Sequence, residues 1–120
     1  MMRLKLMRLK QRADFLAAAA GPKVAAAGFI LQIRERGDAA PPRFGFTVSK
    51  KVGNAVERNR TRRRLREVVR LADALPGQAG HDYVLIGRRR ALALPFGRLQ
   101  ADFTGALKRT HGKRSAAARP

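Results

Sequence analysis

Cysteine is absent from the 120 residues, which excludes disulfides and thiolate-held metal centres. No apolar run approaches the roughly 20 residues needed to cross a bilayer, which argues against a membrane-spanning helix. Acidic residues are scarce. The eight of them, Asp14, Glu35, Asp38, Glu57, Glu67, Asp73, Asp82 and Asp102, are scattered along the chain, several beside arginines. Two-metal hydrolysis gathers carboxylates around ions about 4 Å apart, so this scatter gives no catalytic or metal-ligating set and disfavours a self-sufficient nuclease. His81 at a turn and His111 near the end read as ordinary exposed histidines. There is no internal repeat, and the length fits one domain.

Positive charge is abundant. Lys and Arg number 27 against 8 acids, for a formal net charge of +19. Folding crowds these like charges together at a cost in stability. A polyanionic partner removes the cost and releases its own condensed counterions. A GC-rich genome inflates Arg and Ala without any such partner, but that leaves the clustering of charge unexplained. Residues 1–12, MMRLKLMRLKQR, alternate basic and apolar types and lack the continuous apolar core of a signal peptide. They read as a basic arm, residues 1–11, on a soluble cytoplasmic protein. No long amphipathic helix supports a membrane partner.

The spacing predicts a helix from Arg12 to about Ala20, ended by Gly21-Pro22. A strand over Val24 to Arg36 follows, then a breaker-rich loop at 37–42 and an alternating strand from Arg43 to Ser49. Asn54 opens the longest helix, with Glu57 at capping-box spacing, and Pro76-Gly77 closes it. A strand at 82–88 and a helix from Pro95 to about Thr110 complete a domain over residues 12–110. Residues 111–120 read as a basic, disordered tail. The expected architecture is α+β, with helices covering a small sheet. Its core candidates are Phe29, Leu31, Ile33, Phe44, Phe46, Val48, Leu65, Val69, Val84, Ile86 and Phe103.

The informative stretch is Ser49 to Arg70. Six arginines fall between residues 58 and 66. With Leu65 at the centre of the buried face, Thr61, Val68, Val69 and Ala72 lie beside it. Arg60, Arg63, Arg66 and Arg70 then form a stripe on the opposite face, about 15 Å long at 1.5 Å per residue. That length reaches several neighbouring phosphates. A guanidinium fork grips a phosphate through two parallel hydrogen bonds, and the helix N-terminus at Asn54 favours an anion as well. Lys50 and Lys51 make the whole corner electropositive. A charge run is often no more than a solvated helix face. Here arginines of one sign repel each other at this spacing, with only Glu57 and Glu67 to relieve them.

Ser49-Lys50-Lys51-Val52-Gly53-Asn54-Ala55-Val56, followed by Arg58-Asn59-Arg60 and Arg62-Arg63-x-x-Arg66-Glu67, resembles the signature of the bacterial ribonuclease P protein family. The likeness extends over roughly residues 9–110, through Arg12–Phe15, Phe29–Gln32, Arg43–Val48 and Asp82–Ile86. It implies a four-stranded mixed sheet covered by helices, similar to a ribosomal-protein domain, with an unusual left-handed βαβ crossover against the usual right-handed rule. It also implies a non-catalytic subunit whose partner RNA holds Mg2+ and removes the 5′ leader of precursor tRNA, with no obligate protein partner. By position, Lys50, Lys51, Asn54, Arg58, Asn59, Arg60, Arg62, Arg63 and Arg66 match the family's RNA-contacting signature. Arg70 joins them through the helical stripe alone. Phe15 and Gln32 match the cleft that holds the leader in this family. Two departures weaken stacking there: Ala19 replaces a second aromatic on the first helix, and Gln32 stands where many relatives carry Tyr. A ribosomal or other structural RNA-binding protein is the main alternative. A DNA-binding role lacks a helix-turn-helix pairing or a dimerising heptad.

Overall fold

In the computed structural model, residues 7–9, 11–72 and 79–118 are described. The elements are β1 (Met7–Arg8), α1 (Arg12–Ala19), β2 (Lys23–Ala25), β3 (Phe29–Glu35), β4 (Arg43–Val48), α2 (Ala55–Arg70), β5 (His81–Gly87) and α3 (Phe96–Ala118). Strands β2 to β5 form the expected mixed sheet, and β1 adds a two-residue edge, in the order β1-β4-β5-β3-β2. Neighbours β1/β4 and β4/β5 run parallel, whereas β5/β3 and β3/β2 run antiparallel. Helix α2 is thus the crossover of a parallel β4–α2–β5 unit, which is why the arginine helix lies against the sheet.

Both sheet faces are covered. Phe29, Leu31, Ile33, Phe44, Tyr83 and Leu85 pack with Leu65, Val68 and Val69 of α2 and Leu99, Phe103 and Ala106 of α3. The opposite face carries a smaller cluster of Leu9, Ala18 and Val84, with Phe15 and Ile86 packed on it. Strand β5 is buried on both faces, so its alternation does not mark one inner side. Tyr83 and Leu85 therefore join the larger core while Val84 and Ile86 belong to the smaller. Phe46 packs against the larger core from a half-buried position, and Val48 is half-buried.

Several boundaries differ from the sequence expectation. The strand predicted over 24–36 is a hairpin of β2 and β3. The Ala25-Ala26-Ala27-Gly28 stretch has weak strand propensity and turns, with the Ala26 N–H donating to the Phe29 carbonyl at 2.8 Å. The basic arm is docked where it is described: Met7 and Arg8 pair with Arg43 and Phe44, and Leu9 is buried. Helix α3 runs through Ala118 instead of stopping near Thr110. Alanine is the best helix former, and no proline intervenes before Pro120. Helix α2 ends at Arg70 with Leu71 as its C-cap, short of the expected end near Leu75, and the expected stop at Pro76-Gly77 lies outside the described residues. His81 is buried at the start of β5, contrary to the exposed position expected, and its Nδ1 lies 2.9 Å from the Ala79 carbonyl oxygen.

Candidate nucleic-acid interface

The corner between β4 and α2 is built by local chemistry. Ser49 opens a 3-10 turn at Lys50–Val52 by accepting from the Lys51 N–H. Gly53 then adopts φ 152°, a conformation that favours glycine. A Cβ there would meet the Glu57 carboxylate and the Arg89 guanidinium. Asn54 and Glu57 form the capping box: Asn54 Oδ1 accepts from the Glu57 N–H at 2.9 Å, and Glu57 Oε1 accepts from the Asn54 N–H at 3.0 Å. The Asn54 N–H and then Arg89 hold the Glu57 carboxyl below the usual carboxylate range. Replacing Asn54 with Ala is expected to cost about 1 kcal/mol of stability. Urea unfolding measures it, and an unchanged midpoint would show that this cap stabilises nothing.

The buried face of α2 is Thr61, Leu65, Val68 and Val69, as the helical spacing requires. Of the stripe opposite, Arg60, Arg63 and Arg70 are exposed and Arg66 is half-buried, its guanidinium 5.9 Å from the Phe46 ring centre. Arg60 and Arg63 make no hydrogen bond or ion pair among the described residues. Arg70 is held by Glu67 through bonds of 2.6 and 2.7 Å. Arg58 donates to the Gly53 carbonyl at 3.4 Å, and Arg62 donates to Asn59 Oδ1 at 3.0 Å. Asn59 thus holds a neighbouring arginine in place. Arg64 turns away, donating to the Leu94 carbonyl and lying 6.0 Å from the Phe96 ring centre. Lys50 and Lys51 are exposed beside this face.

Sequence reasoning missed Arg88, Arg89 and Arg90, all exposed after β5. Arg89 donates to the Val52 carbonyl and to Glu57 Oε2, so the turn after β5 clamps the corner. Three consecutive arginines after a strand were the available signal.

Helix α1 packs on the other face of the sheet, through Phe15 and Ala18 against Val84 and Ile86. Register aligns three rows on this face, Arg34–Asp82–Arg43, then Gln32–Val84–Gly45, then Ile30–Ile86–Thr47. The first row meets Asp14 of α1 in an ion network. Arg43 grips Asp82 through two bonds of 2.8 Å, Arg36 donates to Asp82, and Arg34 donates to Asp14 at 3.0 Å. Burial alone pushes the Asp82 carboxyl up, but the hydrogen bonds from Arg43 and Arg36 outweigh it and hold the group below its ordinary value. Three acids that look scattered in sequence, Asp14, Asp38 and Asp82, therefore gather at one end of the sheet, each held by arginine. The second row is roofed. The Phe15 ring sits on Gly45, where an added Cβ would lie 2.6 Å from it, and Ala18 is fully buried. Gln32 is buried in this row, while Ala19 faces solvent. The third row stays open: Ile30 and Ile86 are half-buried, and Thr47 is exposed.

The Ribonuclease P family profile matches residues 4–111. The chain is 50% identical over 103 residues to the ribonuclease P protein component of Gluconacetobacter diazotrophicus, covering 85% of this chain and 89% of that one. Identity with the protein component of Paramagnetospirillum magneticum is 51% over 113 residues, covering 90% and 85%. Among solved structures, the Staphylococcus aureus RNase P protein superposes with a TM-score of 0.72 at 31% identity, over 88% of this chain and 96% of that one. The Thermotoga maritima RNase P protein gives 0.72 at 29% identity, over 85% and 96%. With its capped arginine helix, its mixed sheet and these likenesses, the chain belongs to the ribonuclease P protein family.

Proposed function

We propose that this chain is the protein subunit of a ribonuclease P ribonucleoprotein, acting in the cytoplasm on precursor tRNA. The catalytic RNA sits against the corner formed by Lys50, Lys51, the α2 N-terminus and the free guanidinium groups of Arg60 and Arg63. Arg58, Asn59, Arg62, Arg66 and Arg70 frame that surface. The 5′ leader lies in the cleft beside α1, between Phe15 and the open row of Ile30, Ile86 and Thr47. Cleavage and Mg2+ binding belong to the RNA. The protein lowers the electrostatic cost of bringing two polyanions together and holds the leader, which raises the effective concentration of the scissile bond at the RNA's site.

The observation that carries this reading is the pair Arg60 and Arg63, without a hydrogen-bond or ion-pair partner among the described residues, on a helix opened by a capping box beside two exposed lysines. A side chain held ready without an internal counter-ion gains most from a phosphate. The test adds purified chain to a bacterial ribonuclease P RNA and labelled precursor tRNA at low magnesium. Multiple-turnover release of the 5′ leader should rise with protein, and protein alone should release nothing. Cleavage by protein alone rejects the reading. RNA binding without stimulation would instead fit a structural RNA-binding protein.

A further inference from the structure

Helix α3 changes character half-way along. In its first half Leu99, Phe103 and Ala106 face the core, and Arg98 is paired with Asp102 at 3.1 Å. Asp102 is the last acidic residue in the sequence. Lys108 and Arg109 follow it, both exposed, and neither makes a hydrogen bond or ion pair among the described residues. The last core-facing residue is Thr110. The helix nevertheless continues through Ala118, over a stretch that holds no large apolar residue to bury and two more cations, Lys113 and Arg114. Arg109 and Lys113 fall one turn apart, where like charges repel. A helix dipole favours cations within its last turn only. Arg109 stands about two and a half turns before Ala118, so the dipole does not account for it.

This end of α3 is remote from the β4–α2 corner. Arg64 reaches Leu94 and Phe96 at the start of α3, and further on Val68, Leu71 and Ala72 share a groove with Gln100, Ala101 and Thr104. The contacts advance in step, so the two helices run in the same direction. Lys108 lies about 18 Å along the axis from Phe96, at 1.5 Å per residue, on the side away from Lys50, Lys51 and the α2 N-terminus. Gly105 sits one turn before the two cations. Glycine at mid-helix costs stability relative to alanine, and nothing inside the fold calls for it here, since an added Cβ would meet no atom within 4 Å. It leaves the helix surface bare beside Lys108 and Arg109, where another backbone can approach closely.

We propose that the second half of α3, centred on Gly105, Lys108 and Arg109, is a second RNA-binding surface, which takes the phosphate backbone of a duplex segment other than the one held at the β4–α2 corner. This rests on the reading of the chain as a ribonucleoprotein subunit. Duplex RNA is recognised through its shape and phosphates, and two cations around a bare helix surface suit a sugar–phosphate backbone without reading its bases. The protein then ties together two RNA segments from opposite ends of the domain. The catalytic RNA and the body of the tRNA both offer such duplexes, and the experiment separates them.

The full chain is titrated onto a ribonuclease P RNA at several salt concentrations, and the assembled holoenzyme onto mature tRNA, which has no leader. If the duplex belongs to the catalytic RNA, Lys108→Gln/Arg109→Gln should lower the salt slope of the first titration by about 1.8 and its affinity by roughly thirtyfold at 0.15 M salt. If it belongs to the tRNA, the same loss should appear in the second titration alone. In the first case the loss should add to that of Arg60→Ala/Arg63→Ala, because the two sites are far apart. Lys108→Arg/Arg109→Lys keeps the charge and should keep the slope. Gly105→Leu should raise the melting temperature of the free chain yet weaken binding to the same RNA, a pairing that a merely solvated face does not give. Wild-type slopes in both titrations for Lys108→Gln/Arg109→Gln overturn the proposal, while Arg60→Ala/Arg63→Ala still reports on the corner. If that variant instead loses binding to phosphatidylserine vesicles, the patch belongs to a membrane surface. Failure of the wild-type chain to bind ribonuclease P RNA at all would overturn the functional reading itself.

Discussion

Replacing Asp82 with Asn is expected to remove about 3–5 kcal/mol of stability from the free protein at neutral pH, the cost of breaking a buried ion pair from one side. The melting temperature should fall on the order of 10–20 °C. Asp82 is fully buried and is held by a bidentate Arg43 and by Arg36, whose own side chain is only 7% exposed. Asparagine keeps the shape but turns an NH2 group toward guanidinium donors, leaving Arg36 with Asp38 and Arg43 with Asp14 as their remaining counter-charges. Arg36 also donates to the carbonyls of Ala40 and Pro41 at 3.0 Å, so the β3–β4 connection loosens along with the sheet end. The pH dependence follows from the direction of the shift. The folded-state pKa of Asp82 lies below the ordinary carboxylate value. The contribution is therefore complete above the unfolded pKa of about 3.9 and is lost as pH falls through the lower folded value. The stability difference between wild type and Asp82→Asn should be flat from neutral pH to about 5 and should shrink below pH 4. Urea unfolding across that range measures it. A difference under about 1 kcal/mol, or one that stays constant into acid, would show that the network is not a buried ion pair in solution.

That network illustrates what the sequence could not convey. Asp14, Asp38 and Asp82 are separated by dozens of residues, and the pairing of β5 with both β3 and β4, together with the packing of α1 on the sheet, brings them to one sheet end. Local signals were legible wherever the physics is local. The Asn54–Glu57 capping box, the Thr61/Leu65/Val68/Val69 face and the helix stop at Gly21 all appear where spacing and residue type place them. The hairpin between β2 and β3 was hidden because an Ala-rich turn carries no proline or asparagine to mark it, and Gly28 alone sits inside an apolar run. The burial of His81 was equally hidden, since a polar residue at a strand start is read as exposed unless its partners are known. Within the candidate site, charge and helical period named Arg60 and Arg63. They could not reveal that Arg70 is tied to Glu67, or that Arg66 lies over Phe46. The register placed Gln32 beside Phe15's roof, and spacing alone would have left that amide indistinguishable from a surface glutamine.

The same distinctions make the arginine helix separable by mutation. Replacing Arg60 and Arg63 together with Ala should reduce the slope of log affinity against log salt by about 1.8, or 0.9 for each lost double-strand phosphate contact, and by less for single strands. At 0.15 M salt that change is roughly a thirtyfold loss of affinity for the catalytic RNA. Stability of the free protein should be untouched or slightly raised, because both groups are exposed, have no ion-pair partner among the described residues, and repel their neighbours. Arg66→Ala should behave differently. It removes a guanidinium resting on the Phe46 ring, so a loss of about 0.5–1 kcal/mol in folding stability should accompany any loss in binding. Arg70→Ala should give the smallest change in slope, since Glu67 already neutralises that charge. Titrations at several salt concentrations, run beside thermal melts of the free variants, separate the three. If the Arg60/Arg63 double variant keeps the wild-type slope, those side chains face only water in the assembled particle, and the RNA must be held from another side of the domain.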